Sequence, residues 1–238
     1  MPSLDHIAIW THRRDALLAA LADAAGMAAV DGYSPDGQVV ARGVRFANGP
    51  FLDVHQLPDA APAGPARALV ALRAPVDEIV GLADRHGWRV KPDRREDSAD
   101  PHRKPPWSLV SFRRGQGLLS QLFAIDYHPG ATTPADYAVP LYDPAGPCTG
   151  AACLDRVWLP VDDPAAARLA LSDLGGRPCG ALPSPWAVDG AHAFALGPAQ
   201  LVVVASLPGA LRLDLAAPGA PQTMLAPIDG LQLHINAG

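Results

Sequence analysis

The chain has 238 residues, enough for one large domain or two small ones with a sizeable core. Its formal net charge of -5 and charged fraction of 18% argue against a nucleic-acid partner, because a phosphate backbone is met by a basic excess. No window approaches the roughly 18 apolar residues of a membrane span, and no basic stretch leads into an apolar run at the start, so a cytoplasmic protein without a membrane partner is expected.

The opening stretch "SLDHIAIW" reads as a strand in which Ile7 and Ile9 share one face while His6, Ala8 and Trp10 share the other. "RRDALLAALADAAGM" then places Leu17, Leu18, Leu21 and Ala25 at helical spacing, with Gly26 available to end the helix. "QVVARGVRFANGPFLDVHQL" predicts two strands around an Asn48-Gly49-Pro50 turn. The same order recurs after a Pro/Ala-rich link: the strand "ALVALRA", the helix "PVDEIVGLADRHGW", and the strands "WSLVSFRR" and "LLSQLFAIDYH". Between helix and strands, "KPDRREDSADPHRKPPW" predicts a long charged surface loop. Its Arg94, Arg95, His102, Arg103 and Lys104 form either a cationic lid over an anionic substrate or only a solvated loop.

A second Pro/Gly-rich link, residues 129–150, leads to "CLDRVWLPVDDPAAARLALSDLGG", again strand then helix, followed by "AHAFALGPAQLVVVAS", "ALRLDLAA" and "GLQLHINA". Three passes of one unit are therefore expected, at about 4–57, 68–128 and 151–238. The repeat shows in residues too: Leu4-Asp5-His6-Ile7-Ala8-Ile9 parallels Leu154-Asp155-Arg156-Val157-Trp158-Leu159, and "LDVH", "IDYH" and "LQLH" fall in closing strands. Cys148, Cys153 and Cys179 are odd in number and lack CxxC spacing, which suggests reduced structural thiols. The "GQGLLS" stretch joins two strands, so it is a hairpin turn and not a phosphate cradle, and no nucleotide cofactor is expected.

On "LDHIAI", the amphipathic helix after it, the "GVRFANGPFLDV" hairpin and the later "LFAIDYHP" strand, the chain resembles the vicinal oxygen chelate superfamily and its glyoxalase-like domain proteins. The resemblance covers residues 4–130 well and later ones more faintly. It implies an α+β fold of repeated βαβββ modules, in curved mixed sheets with helices on the outer face. A glyoxalase-like domain over 1–130 would hold two modules, with a third βαβββ-like module over 151–238. In many members the opening-strand histidine and an acidic residue of the last strand bind a divalent metal. His6 and Asp53 match those positions, and Asp126 matches the last strand of the second module. Val70, Arg156 and Gln232 depart from the pattern where further ligands would stand.

Alternation supports the same residues independently, since Leu52 and Val54 can face a helix layer while Asp53 and His55 face the His6 side. Two imidazoles and a carboxylate suit Zn, Fe, Mn or Ni. The plainer alternative is a His6 hydrogen-bonded to Asp53 without metal, with His55 at a strand end in water. Arg156 either holds an anionic group of a ligand or pairs with Asp155 or another neighbour. Trp10 and Trp158 either wall a pocket or pack in the core, and His128 joins them as a substrate-binding candidate. The leading expectation is a bacterial enzyme acting on a small oxygen-bearing molecule, of lyase, isomerase or dioxygenase type. Metal would act as Lewis acid and Asp126 as proton acceptor. The rival expectation is a non-catalytic small-molecule binder of the same fold. A homodimer is expected, because an odd module leaves a sheet edge to cover.

Overall fold

The computed structural model describes residues 1–33, 38–97, 105–128, 147–180 and 188–237. The first half forms one eight-stranded mixed sheet from β1 (Ser3–Thr11), β2 (Val30–Tyr33), β3 (Val39–Arg45), β4 (Phe51–Gln56), β5 (Arg67–Arg73), β6 (Val90–Asp93), β7 (Trp107–Phe112) and β8 (Leu122–Tyr127). Its order is β2-β3-β4-β1-β5-β8-β7-β6, which puts β1 and β5 side by side at the centre. Each is joined to the last strand of its own unit in parallel, β1 to β4 and β5 to β8, while β1 and β5 run antiparallel. Helices α1 (Arg14–Ala25) and α2 (Val76–His86) end on Gly26 and Gly87, both at left-handed φ near +65°, where a side chain would be strained. Leu17, Leu18 and Leu21 of α1 pack on Ile7, Ile9, Leu52 and Val54, the aliphatic face expected from alternation.

The second half forms a seven-stranded sheet from β9 (Cys153–Pro160), β10 (Arg177–Pro178), β11 (His192–Leu196), β12 (Ala199–Val204), β13 (Leu211–Ala217), β14 (Thr223–Met224) and β15 (Leu231–Ala237), with α3 (Pro164–Asp173) after β9. Its order is β10-β11-β12-β9-β13-β15-β14. The expectation of a single third module over 151–238 needs correction here. β13 lies antiparallel to β9 and parallel to β15, which is how β5 lies to β1 and β8. Residues 211–237 are thus a fourth, shortened unit and not the closing strands of the third. Only residues 218–222, "PGAPQ", separate β13 from β14, and this run is too short and too rich in Pro and Gly for the helix the other units carry.

The helix-facing sides of both sheets share one continuous apolar cluster. Polar ties reinforce the contact. Asn48, in the turn before β4, donates to the carbonyls of Leu154 (2.8 Å) and Pro198 (3.1 Å) and accepts from the Leu154 N–H. Asp229, held at positive φ, accepts from the Thr11 hydroxyl and the His12 N–H. No helix among the described residues is long and apolar enough to cross a membrane.

Candidate functional site

The helix-free face of the first sheet holds a cavity of about 340 Å³. Register explains its floor. β1 and β4 run in parallel with His6 opposite Phe51, Ala8 opposite Asp53 and Trp10 opposite His55. Those neighbours stack: His6 lies 4.5 Å from Phe51 at 17°, and Trp10 lies 5.1 Å from His55 at 9°. Ala8, small between two large rings, leaves room above the strand. Leu69 of β5, Trp107, Leu109 and Ser111 of β7, and Phe123 and Ile125 of β8 complete the walls. His6, Trp10, Asp53 and His55 therefore line one pocket.

The two histidines are each held by a carboxylate. His55 donates from Nε2 to Asp53 Oδ2 at 3.0 Å. Burial alone would lower the pKa of His55, but the hydrogen bond and charge of Asp53 and a bond to the Val40 carbonyl outweigh it, so the value lies above that of an ordinary histidine. His6, only 2% exposed, directs Nδ1 to Asp5 Oδ2 at 2.8 Å. Adjacent strand residues normally face apart, but the ladder to β5 slips between Leu4 and His6, leaving Asp5 as the extra residue of a bulge. Arg73 donates to Asp5 Oδ1 at 3.0 Å and the Tyr127 hydroxyl to Oδ2 at 2.8 Å. Although burial acts against it, the bonds and charges of His6, Arg73 and Tyr127 hold the Asp5 carboxyl below the usual range, while burial beside that carboxylate pushes the Tyr127 phenol up. Asp5, Arg73 and Tyr127 were not singled out in the sequence, because a bulge leaves no mark in alternation.

Several candidates lie elsewhere. Asp126 is removed from the cavity: its Oδ2 accepts from the Val76 N–H at 3.2 Å and so caps the start of α2. His128 shares a hydrogen bond of 2.8 Å with the Ser108 hydroxyl, which also accepts from the Arg95 N–H. Arg94 is paired with Asp77 at 2.6 Å and Arg95 donates to the Pro105 carbonyl, whereas His102, Arg103 and Lys104 lie outside the described residues.

Arg156 and Trp158 occupy the helix-free face of the second sheet, where both side chains are buried. Where the first sheet has Ala8, Asp53 and His55, the second has Trp158, Val202 and Val204 at the same places in the ladder. Trp158 is fully buried and donates from Nε1 to Asp214 Oδ2 at 2.8 Å. Arg212 packs its guanidinium 4.1 Å over the Trp158 ring and donates to Asp214 Oδ1 at 2.7 Å. Arg156 pairs with Asp155 at 3.2 Å and Asp214 at 3.6 Å and donates to Gln200. It is the ion-paired alternative that the structure displays. His234 lies 3.7 Å from Asp214, and burial with the charge of Arg212 lowers its pKa despite Asp214.

A divalent metal at this pocket would draw on the imidazoles of His6 and His55 and the carboxylate of Asp53. Asp53 and the Val40 carbonyl engage the ring nitrogens of His55, whereas His6, held through Nδ1 by Asp5, has the carboxylate-backed orientation that metal-ligating histidines also adopt. Among the described residues no group of three or more His, Cys, Asp or Glu is arranged to hold a metal ion. His6, Asp53 and His55 share a pocket without forming, as placed, a three-ligand set.

No protein-family model matches the chain, and no curated protein matches its sequence. Solved structures do match. A catechol 2,3-dioxygenase superposes with a TM-score of 0.58 at 15% identity, covering 98% of this chain and 92% of the other. A hypothetical protein from Staphylococcus aureus gives 0.62 at 9% identity over the whole of both chains. The Mn(II)-bound glyoxalase from Novosphingobium aromaticivorans gives 0.52 at 15% identity, covering 96% of this chain and 68% of that one. With the paired units described above, these similarities show that the chain has the fold of the vicinal oxygen chelate superfamily, the fold of extradiol dioxygenases and glyoxalases.

Proposed function

We propose that the chain binds a small, planar, oxygen-bearing organic molecule on the helix-free face of its first sheet, as a sequestering protein of this fold. The observation that carries the reading is the cavity itself. At about 340 Å³ it lies at the small end of the roughly 300–1,000 Å³ usual for ligand sites, and it sets a few polar side chains, His6, Asp53, His55, Ser111 and Ser120, in an otherwise apolar and aromatic lining. Trp107, Phe123 and Leu109 suit the faces of an aromatic ring, and His6 and the Asp53–His55 pair suit its oxygen substituents. Catechol is the natural first probe, because one structural neighbour is named as acting on it.

A catalytic reading, as a lyase, isomerase or dioxygenase, draws on the names of those neighbours and on one local feature. His55 carries a proton beside a carboxylate inside the cavity, so proton transfer to or from a bound molecule is within its chemistry. Calorimetric titration of catechol into wild type and Leu109→Trp tests the binding reading. Binding to wild type that Leu109→Trp abolishes is the expected result, and equal affinity for both proteins would overturn it. Turnover of catechol followed by proton NMR would favour the catalytic reading.

A further inference from the structure

We propose that the chain has a second ligand site, a groove between α3 and the edge strand β10, which takes an organic carboxylate with an apolar body and meets its charge with Arg168. The proposal is independent of the binding reading above. A cavity of about 570 Å³ lies in this groove, within the roughly 300–1,000 Å³ usual for ligand sites, and it shares no lining residue with the first-sheet pocket.

The sequence builds the groove from both sides. In α3, Ala165, Arg168, Leu169 and Ser172 follow the i, i+3, i+4, i+7 spacing of one helix face and line the cavity, while Ala167 and Leu171 are buried in the core. Opposite them, β10 has only two residues, against four in each of the first sheet's edge strands β2 and β6, and its Pro178 has no N–H to offer a further strand. The remaining wall is made largely of small residues: Ala191 and Ala193 line the groove with Phe194, and a Cβ placed on Gly180 would meet nothing within 4 Å. A short edge strand and small side chains leave space that a longer, bulkier strand would fill.

The lining matches an apolar anion. Its polar side chains are those of Arg168, Ser172, Cys179 and His192, all of which can donate a hydrogen bond. Among the described residues no carboxylate lines the groove, in a chain whose formal net charge is -5. The Cys179 thiol is directed to the Arg177 carbonyl at 3.7 Å, which leaves a guanidinium, a hydroxyl and an imidazole for a ligand. The acidic residues at the two ends of α3 are engaged elsewhere. Asp163 caps the first turn through the Ala166 N–H, and Asp173 pairs with His86 at 3.2 Å, so Arg168 has no ion pair among the described residues. One guanidinium matches one negative charge, and its planar fork suits a carboxylate. The apolar body is met by Leu169, with Phe194 and Pro178 in the same lining. Leu169 is 69% exposed, the one large apolar residue of the three helices left so open to water among the described residues.

The experiment titrates naphthalene carboxylate into the full chain by calorimetry at low ionic strength. Wild type should bind it, and the uncharged naphthalene carboxamide should bind about tenfold more weakly or worse, as expected for loss of a charge-assisted hydrogen bond. Arg168→Glu should weaken the carboxylate by about tenfold or more, while Arg168→Lys keeps most of the affinity. Ala165→Trp, which fills the groove from the α3 side, should abolish the Arg168-dependent binding, and Leu109→Trp, which fills the first-sheet cavity, should leave it unchanged. Arg168 and Ala165 are exposed, so these changes leave the core untouched, and far-UV circular dichroism checks that each variant folds. The comparison of carboxylate with carboxamide on wild type needs no variant. No binding of the carboxylate by wild type, equal affinity for the carboxamide, equal affinity in Arg168→Glu, or loss of binding in Leu109→Trp would overturn the proposal.

Discussion

Asp214→Ala is the most informative single change in the second sheet. Asp214 is fully buried and accepts from Trp158 Nε1 at 2.8 Å and from Arg212 Nε at 2.7 Å and Nη2 at 3.2 Å, with Arg156 3.6 Å away. Its loss leaves two nearly buried guanidiniums and an indole N–H without their shared acceptor. Removing one partner of such a pair costs about 3–5 kcal/mol. For a chain of this size each kcal/mol moves the melting temperature by about 2–4 °C, so the midpoint should fall by roughly 6–20 °C. Trp158→Phe, which gives up one hydrogen bond while Arg212 still holds the carboxylate, should cost only about 0.5–1.5 kcal/mol. A triple replacement with Arg156→Met, Arg212→Met and Asp214→Leu removes charge and counter-charge together and should cost less than Asp214→Ala alone. Urea unfolding followed by Trp fluorescence reads all three. The reasoning fails if Asp214→Ala shifts the midpoint no more than Trp158→Phe, or if the triple variant is the least stable of the set.

Asp126→Ala should lower stability by about 0.5–2 kcal/mol through loss of the bond to the Val76 N–H and leave catechol affinity unchanged; a large loss of affinity would return Asp126 to the site. The lowered pKa of His234 means that the unfolded chain takes up its proton first as pH falls below about 6.5. Its contribution is therefore present above that pH and is lost downward through the lowered folded value. His234→Phe should flatten the fall in urea midpoint between about pH 7 and pH 5, and an unchanged slope would contradict this. Asn48→Ala removes three hydrogen bonds between the turn before β4 and the second sheet, and should accelerate hydrogen exchange at the Leu154 amide more than at core amides of β1.

The polar side of the first site was legible because alternation needs only local parity. His6 in β1 and Asp53 and His55 in β4 follow directly from the aliphatic faces of their strands. Asp126 came instead from the resemblance, which matched it to the last strand of the second module. "LDVH" and "IDYH" share their Asp and His at the same places, yet Asp53 lines the cavity, whereas in β8 Phe123 and Ile125 line it and Asp126 faces α2. A one-residue offset turns every side chain over. The parallel between "LDHIAI" and "LDRVWL" is real in the ladder, but it pairs Ala8 with Trp158, so the repeat that opens a cavity in one sheet closes it in the other. What Trp158 and Arg156 pack against could not be read locally, because Asp214 arrives from a strand 56 residues further on. The fourth unit was hidden for a similar reason, since its missing helix removed the mark by which each earlier unit had been counted.

The central claim is that the first sheet holds the ligand site while the corresponding face of the second is closed by its own side chains. A crystal structure of the protein grown with saturating catechol and EDTA tests it most directly. The account predicts catechol seated over Ala8 among Leu109, Trp107 and Phe123, with its hydroxyls on the side of His6, Asp53 and His55. Catechol on the second sheet among Arg156, Trp158 and His234, or a first-sheet cavity left empty at saturation, would contradict it.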